Sequence, residues 1–181
     1  MSHKKVDTFC FVIDASIARA ASGLESKSPM GIRCREFLEL IRGVCHRIAW
    51  NPAIKAEWDK HRSKFAADWF LKMFNLRKVR IIPDNEIEAL RDAIRANSND
   101  AAVVALMLKD ARLIEAAVAT NCRVASLDEA VRGHFCRLSA THADVQTVHW
   151  VNPVTEETCA EWIELGAPAD ATRLLQVVAN T

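Results

Sequence analysis

Phe9-Cys10-Phe11-Val12-Ile13-Asp14-Ala15-Ser16 is a run of five apolar residues stopped by an aspartate. An unbroken apolar run predicts a strand covered on both faces, because a half-exposed strand would alternate with polar residues. Such strands belong to parallel sheets with helices on either side. Farther along, Cys122-Arg123-Val124-Ala125-Ser126-Leu127-Asp128 repeats the arrangement, a strand running into an aspartate. Arg47–Trp50 and Val79–Ile82, the latter stopped by Pro83, read as shorter strands, and Val145–Val151 as a last one. Helical spacing fills the intervals. Cys34 to Arg47 carries Phe37, Leu38, Ile41, Val44 and Cys45, and Asn51-Pro52 supplies a cap and a first-position proline for a helix through Trp58. Lys64–Phe74, Asn85–Ala96, Asn99–Thr120 and Glu129–Phe135 continue the series. Strands alternating with helices predict an α/β fold, a three-layer α/β/α sandwich with a central, mostly parallel sheet and right-handed crossovers. One domain over residues 1–152 is expected, followed by a C-terminal helical extension, 153–181, packed on it.

Composition narrows the class. The chain has 181 residues, 50% hydrophobic and 26% charged, with net charge +1, which excludes disorder, collagen and coiled coil. Five Gly and five Pro are too few for a many-turned β-sandwich. Met1–Lys5 is followed by a mixed segment, and Phe9–Ile13 is too short for a signal peptide or a membrane span, so a cytoplasmic protein without a membrane partner is expected. The cysteines at 10, 34, 45, 122, 136 and 159 form no C-x-x-C pair and read as reduced core thiols. The histidines show no zinc-ligand spacing.

Charge is unevenly spread. Residues 33–80 hold 12 Lys and Arg against 5 acids, while 81–181 hold 8 against 15. The basic block carries Trp50, Trp58, Phe65, Trp69 and Phe70, a combination that suits either a nucleic-acid surface with rings for stacking or amphipathic helices with aromatic core faces.

The chemistry is carried by carboxylates. In an open parallel sheet the ligand site lies beyond the carboxyl ends of the strands, where Asp14 and Asp128 are expected. Asp110 begins the segment feeding the Asp128 strand, and Glu57 lies on the helix opened by Asn51-Pro52. Four carboxylates at one sheet edge repel each other unless cations sit among them, and hard oxygen ligands suit Mg²⁺ or Mn²⁺.

The ordered series F-V-I-D-A-S at 11–16, a mid-chain glutamate, K-D-A-R-L-I-E-A-A-V-A-T at 109–120, V-A-S-L-D-E at 124–129 and V-H-W-V-N-P at 148–153 resembles the PIN-domain nucleases. The 18-residue spacing from Asp110 to Asp128 is close to that family's. The resemblance implies that Asp14, Glu57, Asp110 and Asp128 form the acidic metal-binding quartet and that Ser16 matches the small polar residue after the first aspartate. It implies phosphodiester hydrolysis assisted by Mg²⁺ or Mn²⁺, with RNA as the expected substrate and products keeping a 5′-phosphate. It also admits a toxin held by an inhibitory protein partner, or an RNA-processing enzyme. Asp59 and Asp100 are alternatives to Glu57 or additions to it, although Asp100 also suits a helix start, and Glu115 falls on a helix that needs a polar face. Ser126 is a candidate phosphate contact. Arg77, Lys78 and Arg80 are expected to line the groove to the acids, since a polyanion needs positive charge beside them.

Two rivals stand beside this reading. A PIN-like scaffold that binds RNA or protein without cutting would keep the fold and shed the acids. A phosphatase of the haloacid dehalogenase type needs a second Asp two residues after the first, and Ser16 stands there. The apolar positions Cys159, Trp162, Ile163 and Leu165 of the extension suit packing on the sheet layer or a homodimer surface.

Overall fold

β1 (Cys10–Ile13) is buried along its whole length and sits at the centre of five parallel strands. The computed structural model describes residues 9–121 and 123–176. β2 (Arg47–Trp50) and then β3 (Val79–Ile81) lie on one side of β1, while β4 (Arg123–Ala125) and β5 (Trp150–Val151) lie on the other, giving the order β3-β2-β1-β4-β5. All neighbours run parallel. The expected α/β sandwich is therefore the observed one.

Helices α1 (Ala15–Ala20), α2 (Pro29–Gly43), α3 (Pro52–His61) and α4 (Lys64–Asn75) pack with one another in the first half of the chain. α5 (Glu88–Asn97), α6 (Ala101–Thr120), α7 (Glu129–Leu138) and α8 (Ala143–Gln146) form a second group, with α6 against β1 and β4. The chain therefore builds outward from β1 to β3, crosses back, and builds from β4 to β5. Strand order reverses between β1 and β4, and a crevice opens where loops leave in opposite directions.

Local sequence explains most boundaries. Asn51 accepts a hydrogen bond from Ile54 N (2.8 Å) and Pro52 follows at the first helical position, as expected. Asp100 caps α6 through Ala102 N (2.8 Å), so its carboxylate is used by the helix. α2 starts at Pro29, earlier than apolar spacing suggested, because Ser28 caps it and Pro29 presets its first turn. α1 is too short to show a period and was not foreseen. The expected strand Val145–Val151 is half helical turn, because Val145 and Val148 stand three apart on the buried side and only Trp150 and Val151 pair with β4. Cys122, the first residue of the expected Cys122–Leu127 strand, lies outside the described residues.

The aromatic residues of the basic block are core. Trp58 and Trp69 are fully buried, Trp50 nearly so, and their indole rings meet Phe70 in one cluster. Trp58 Nε1 donates to Ile13 O (2.8 Å) and Trp69 Nε1 to Leu38 O (2.7 Å). The three indoles thus serve the core, while Phe65 and Phe70 are half-buried and Phe74 is exposed; amphipathic spacing alone does not separate the two uses.

The extension packs on the first half of the chain. Its helix α9 (Cys159–Glu164) is shorter than expected and is ended by Gly166 and Ala167 with positive φ. Trp162 meets Phe11 edge-on at 6.0 Å, and the buried His46 joins Phe9 to Ile163 O (3.0 Å). His149 accepts from Asp170 N (3.1 Å), and Leu175 N donates to Val148 O (2.9 Å). Residues 177–181 lie outside the described residues. Cys10, Cys34 and Cys159 are buried, whereas Cys45 is exposed. Among the described residues no helix is long and apolar enough to cross a membrane.

Candidate metal and phosphate site

Asp14, Glu57, Asp110 and Asp128 line a single cavity of about 130 Å³ at the crevice between β1 and β4. Each arrives from a different element. Asp14 follows β1, where its N–H extends the ladder to Ala125 O (2.9 Å), and it caps α1. Glu57 comes from α3, held to the end of β1 by its neighbour Trp58. Asp110 sits in the middle of α6, buried, where it caps nothing. Asp128 follows β4 and caps α7 through Val131 N (2.9 Å).

Two hydroxyls fix Asp14. Ser16 Oγ donates to its Oδ2 at 2.5 Å and Ser126 Oγ to the same atom at 3.0 Å. Ser16 Oγ also accepts from Leu127 N (3.2 Å), and Ser126 Oγ from Asp128 N (3.2 Å). The pair therefore staples the β1 exit to the β4 exit and, among the described residues, leaves Oδ1 without a protein donor. Ser126 is fully buried, and its hydroxyl bridges Asp14 and the Asp128 N–H. Ser16 lines the cavity as well.

Electrostatics separate the acids. Burial, and after it the Asp14 carboxylate, push Asp110 up to about 6, with Asp128 adding to the rise and Arg112 and Lys109 opposing it. Burial works to raise Glu57 too, but the hydrogen bond from Lys60 (3.0 Å) and the charges of Arg112 and Lys109 outweigh it and hold that carboxyl below its usual range. His61 is also near, 3.8 Å from Glu57. Asp110 thus sits among other carboxylates with one guanidinium close by, and the glutamate is surrounded by cations.

The lining holds basic side chains that sequence reasoning missed: Arg19, His61, Lys109 and Arg112. Helical spacing held a signal for two of them, since Arg19 stands three residues after Ser16 and His61 four after Glu57. Arg77 and Lys78, by contrast, precede β3 and so stand at the amino end of the sheet, opposite the acids. Lys78 Nζ donates to Arg42 O (2.6 Å), closing the end of α2, and Arg80 is exposed on the edge strand. None of the three is among the residues lining the cavity, and a charge count does not say which end of a strand a residue occupies. Asp59 is exposed and paired with Lys55 and Arg62, away from the cavity. Glu115 is buried on α6 against Arg91, at 2.8 and 2.9 Å, and accepts from Ile87 N, also outside the site.

The donor set fits a hard divalent cation. It offers the oxygens of four carboxylates beside the Ser16 hydroxyl and the His61 ring, and among the described residues Asp14 Oδ1 and Asp110 Oδ2 accept no protein hydrogen bond. Among the described residues, however, no three His, Cys, Asp or Glu side chains are gathered closely enough to form a ready-made cage. The fold and site define a parallel α/β sandwich with an acid-lined cavity at its topological switch point. Comparison with family models, with curated proteins and with solved structures finds no match to this chain.

Proposed function

We propose that the protein is a divalent-metal-dependent nuclease that hydrolyses phosphodiester bonds, with RNA as substrate. The observation that carries the reading is the meeting of Asp14, Glu57, Asp110 and Asp128 on one cavity beyond the carboxyl ends of β1 and β4, the four acids that the PIN-domain resemblance implies. Asp14, Asp110 and Asp128 would hold Mg²⁺ or Mn²⁺, which when bound supplies a water acidic enough to attack at neutral pH and offsets phosphate charge. Ser16 and Ser126 keep Asp14 in one rotamer. Arg19 and Lys109 on the cavity rim counter the repulsion between acids and a polyanion.

The test is incubation of end-labelled single-stranded RNA and DNA with the full chain in Mn²⁺ and in EDTA, with analysis of product ends. The reading expects metal-dependent cleavage leaving 5′-phosphates, and cleavage undiminished in EDTA overturns it. A second reading, a scaffold that binds without cutting, is favoured by the Arg112 guanidinium, 3.3 Å from Asp110 and 4.0 Å from Glu57, which supplies the acids with a cation of the protein's own. RNA binding without cleavage in any divalent ion is its signature.

A further inference from the structure

Arg112 stands two residues past Asp110 on α6, a spacing at which side chains do not face each other. Its guanidinium nevertheless folds back into the cavity, with Nη1 on the Lys109 carbonyl and Nη2 at 3.3 Å from Asp110 Oδ1 and 4.0 Å from Glu57 Oε2. The side chain is nine-tenths buried, and Nε has no hydrogen-bond partner. A buried guanidinium with an idle donor is costly, and five N–H groups in a planar fork match the oxygens of a carboxylate or a phosphate. The cavity lining carries four carboxylates against three permanent cations, Arg19, Lys109 and Arg112, a formal charge of −1. One divalent ion turns that to +1, suited to one phosphodiester.

We propose that Arg112 is the resident counter-cation of the acid cluster: its charge limits how much divalent charge the four acids would take, and its guanidinium is offered to a substrate phosphate. This rests on the reading that the acids hold a divalent ion beside a phosphodiester. It has two consequences of opposite sign. Removing the charge lowers repulsion toward a metal, and a unit charge facing a dication across the few ångströms of one site is worth about tenfold in affinity even at the dielectric of water. The same removal deprives the phosphate of its partner. A residue that only braced Asp110 would lose metal affinity instead.

The experiment measures Mn²⁺ binding to the full chain by calorimetry, and binding of the dinucleotide thymidylyl-thymidine in Ca²⁺, for the parent, Arg112→Gln and Arg112→Lys. Arg112→Gln is expected to bind Mn²⁺ at least tenfold more tightly and the dinucleotide at least tenfold more weakly. Arg112→Lys should stay within about threefold of the parent for Mn²⁺ yet lose dinucleotide affinity, because an ammonium has no fork. Unchanged or weaker Mn²⁺ binding by Arg112→Gln overturns the proposal. Mn²⁺ bound by Arg112→Gln but not by the parent supports it while counting against the metal-dependent reading of the parent. Should Arg112→Gln not fold, Arg112→Lys decides: dinucleotide binding equal to the parent's overturns the proposal.

Discussion

Asp110→Asn should stabilise the metal-free protein, and the amount is set by where its carboxyl sits. Asp110 is 7% exposed, and its pKa stands at about 6 against an ordinary 3.8, because burial and the Asp14 carboxylate disfavour the charge. About two units at 1.36 kcal/mol each is a ceiling of about 3 kcal/mol. The sign follows from proton binding. Between pH 4 and 6 the native state holds a proton that the unfolded chain has released, so stability falls as pH rises through that window and stays low above it. The amide cannot ionise and escapes the loss, although it gives up the pairing with Arg112, leaving a net gain of about 1–2 kcal/mol at pH 7.5. In a chain of this size that is a rise in Tm of about 2–8 °C. Urea unfolding in EDTA at pH 5 and pH 7.5, for parent and variant, reads it directly. The difference between the two proteins must grow with pH, and a constant difference, or a variant less stable at pH 7.5, refutes the claim that Asp110 is desolvated beside other carboxylates.

Other expectations follow from the same geometry. Ser126→Ala strips Asp14 of a donor and leaves the Asp128 N–H without its acceptor in a buried place, so a loss of about 1–3 kcal/mol in urea unfolding and a 10–100-fold weaker Mn²⁺ affinity by calorimetry are expected. His46 and His149 are held below their usual pKa by burial, so the unfolded chain takes up protons first and stability drops as pH falls below about 6.5. Both rings hold the extension, and amide exchange at Leu165–Ala167 and Leu174–Gln176 should quicken in that range before the sheet's does. Trp58→Phe removes the donor to Ile13 O at the exit of β1 and should cost about 1–3 kcal/mol by urea unfolding.

The parts of the molecule written in short-range pattern were legible from sequence. An apolar run ending in Asp announces a buried parallel strand, and two such runs place Asp14 and Asp128 at one sheet edge. Asn51-Pro52 announces α3, and with it Glu57. What stayed hidden depends on rotation about an axis or on the end of a strand. Arg112 looks like the polar face of an Ala-rich helix until its side chain is seen to fold back over Asp110, and Ser126 looks like a phosphate contact until its burial is known. The basic block misled for the same reason: Arg77 and Lys78 are charged enough for a polyanion but sit where β3 begins. The rings of Trp58 and Trp69 face inward, which helical spacing permits but does not require.

The most direct test of the account is a crystal of the full chain soaked in Mn²⁺ and read by anomalous scattering. The account predicts one ion in the cavity between β1 and β4, about 2 Å from carboxylate oxygens of Asp14, Asp110 and Asp128, with Arg112 still between Asp110 and Glu57. Mn²⁺ bound elsewhere, with the three aspartates unliganded at saturating metal, contradicts it.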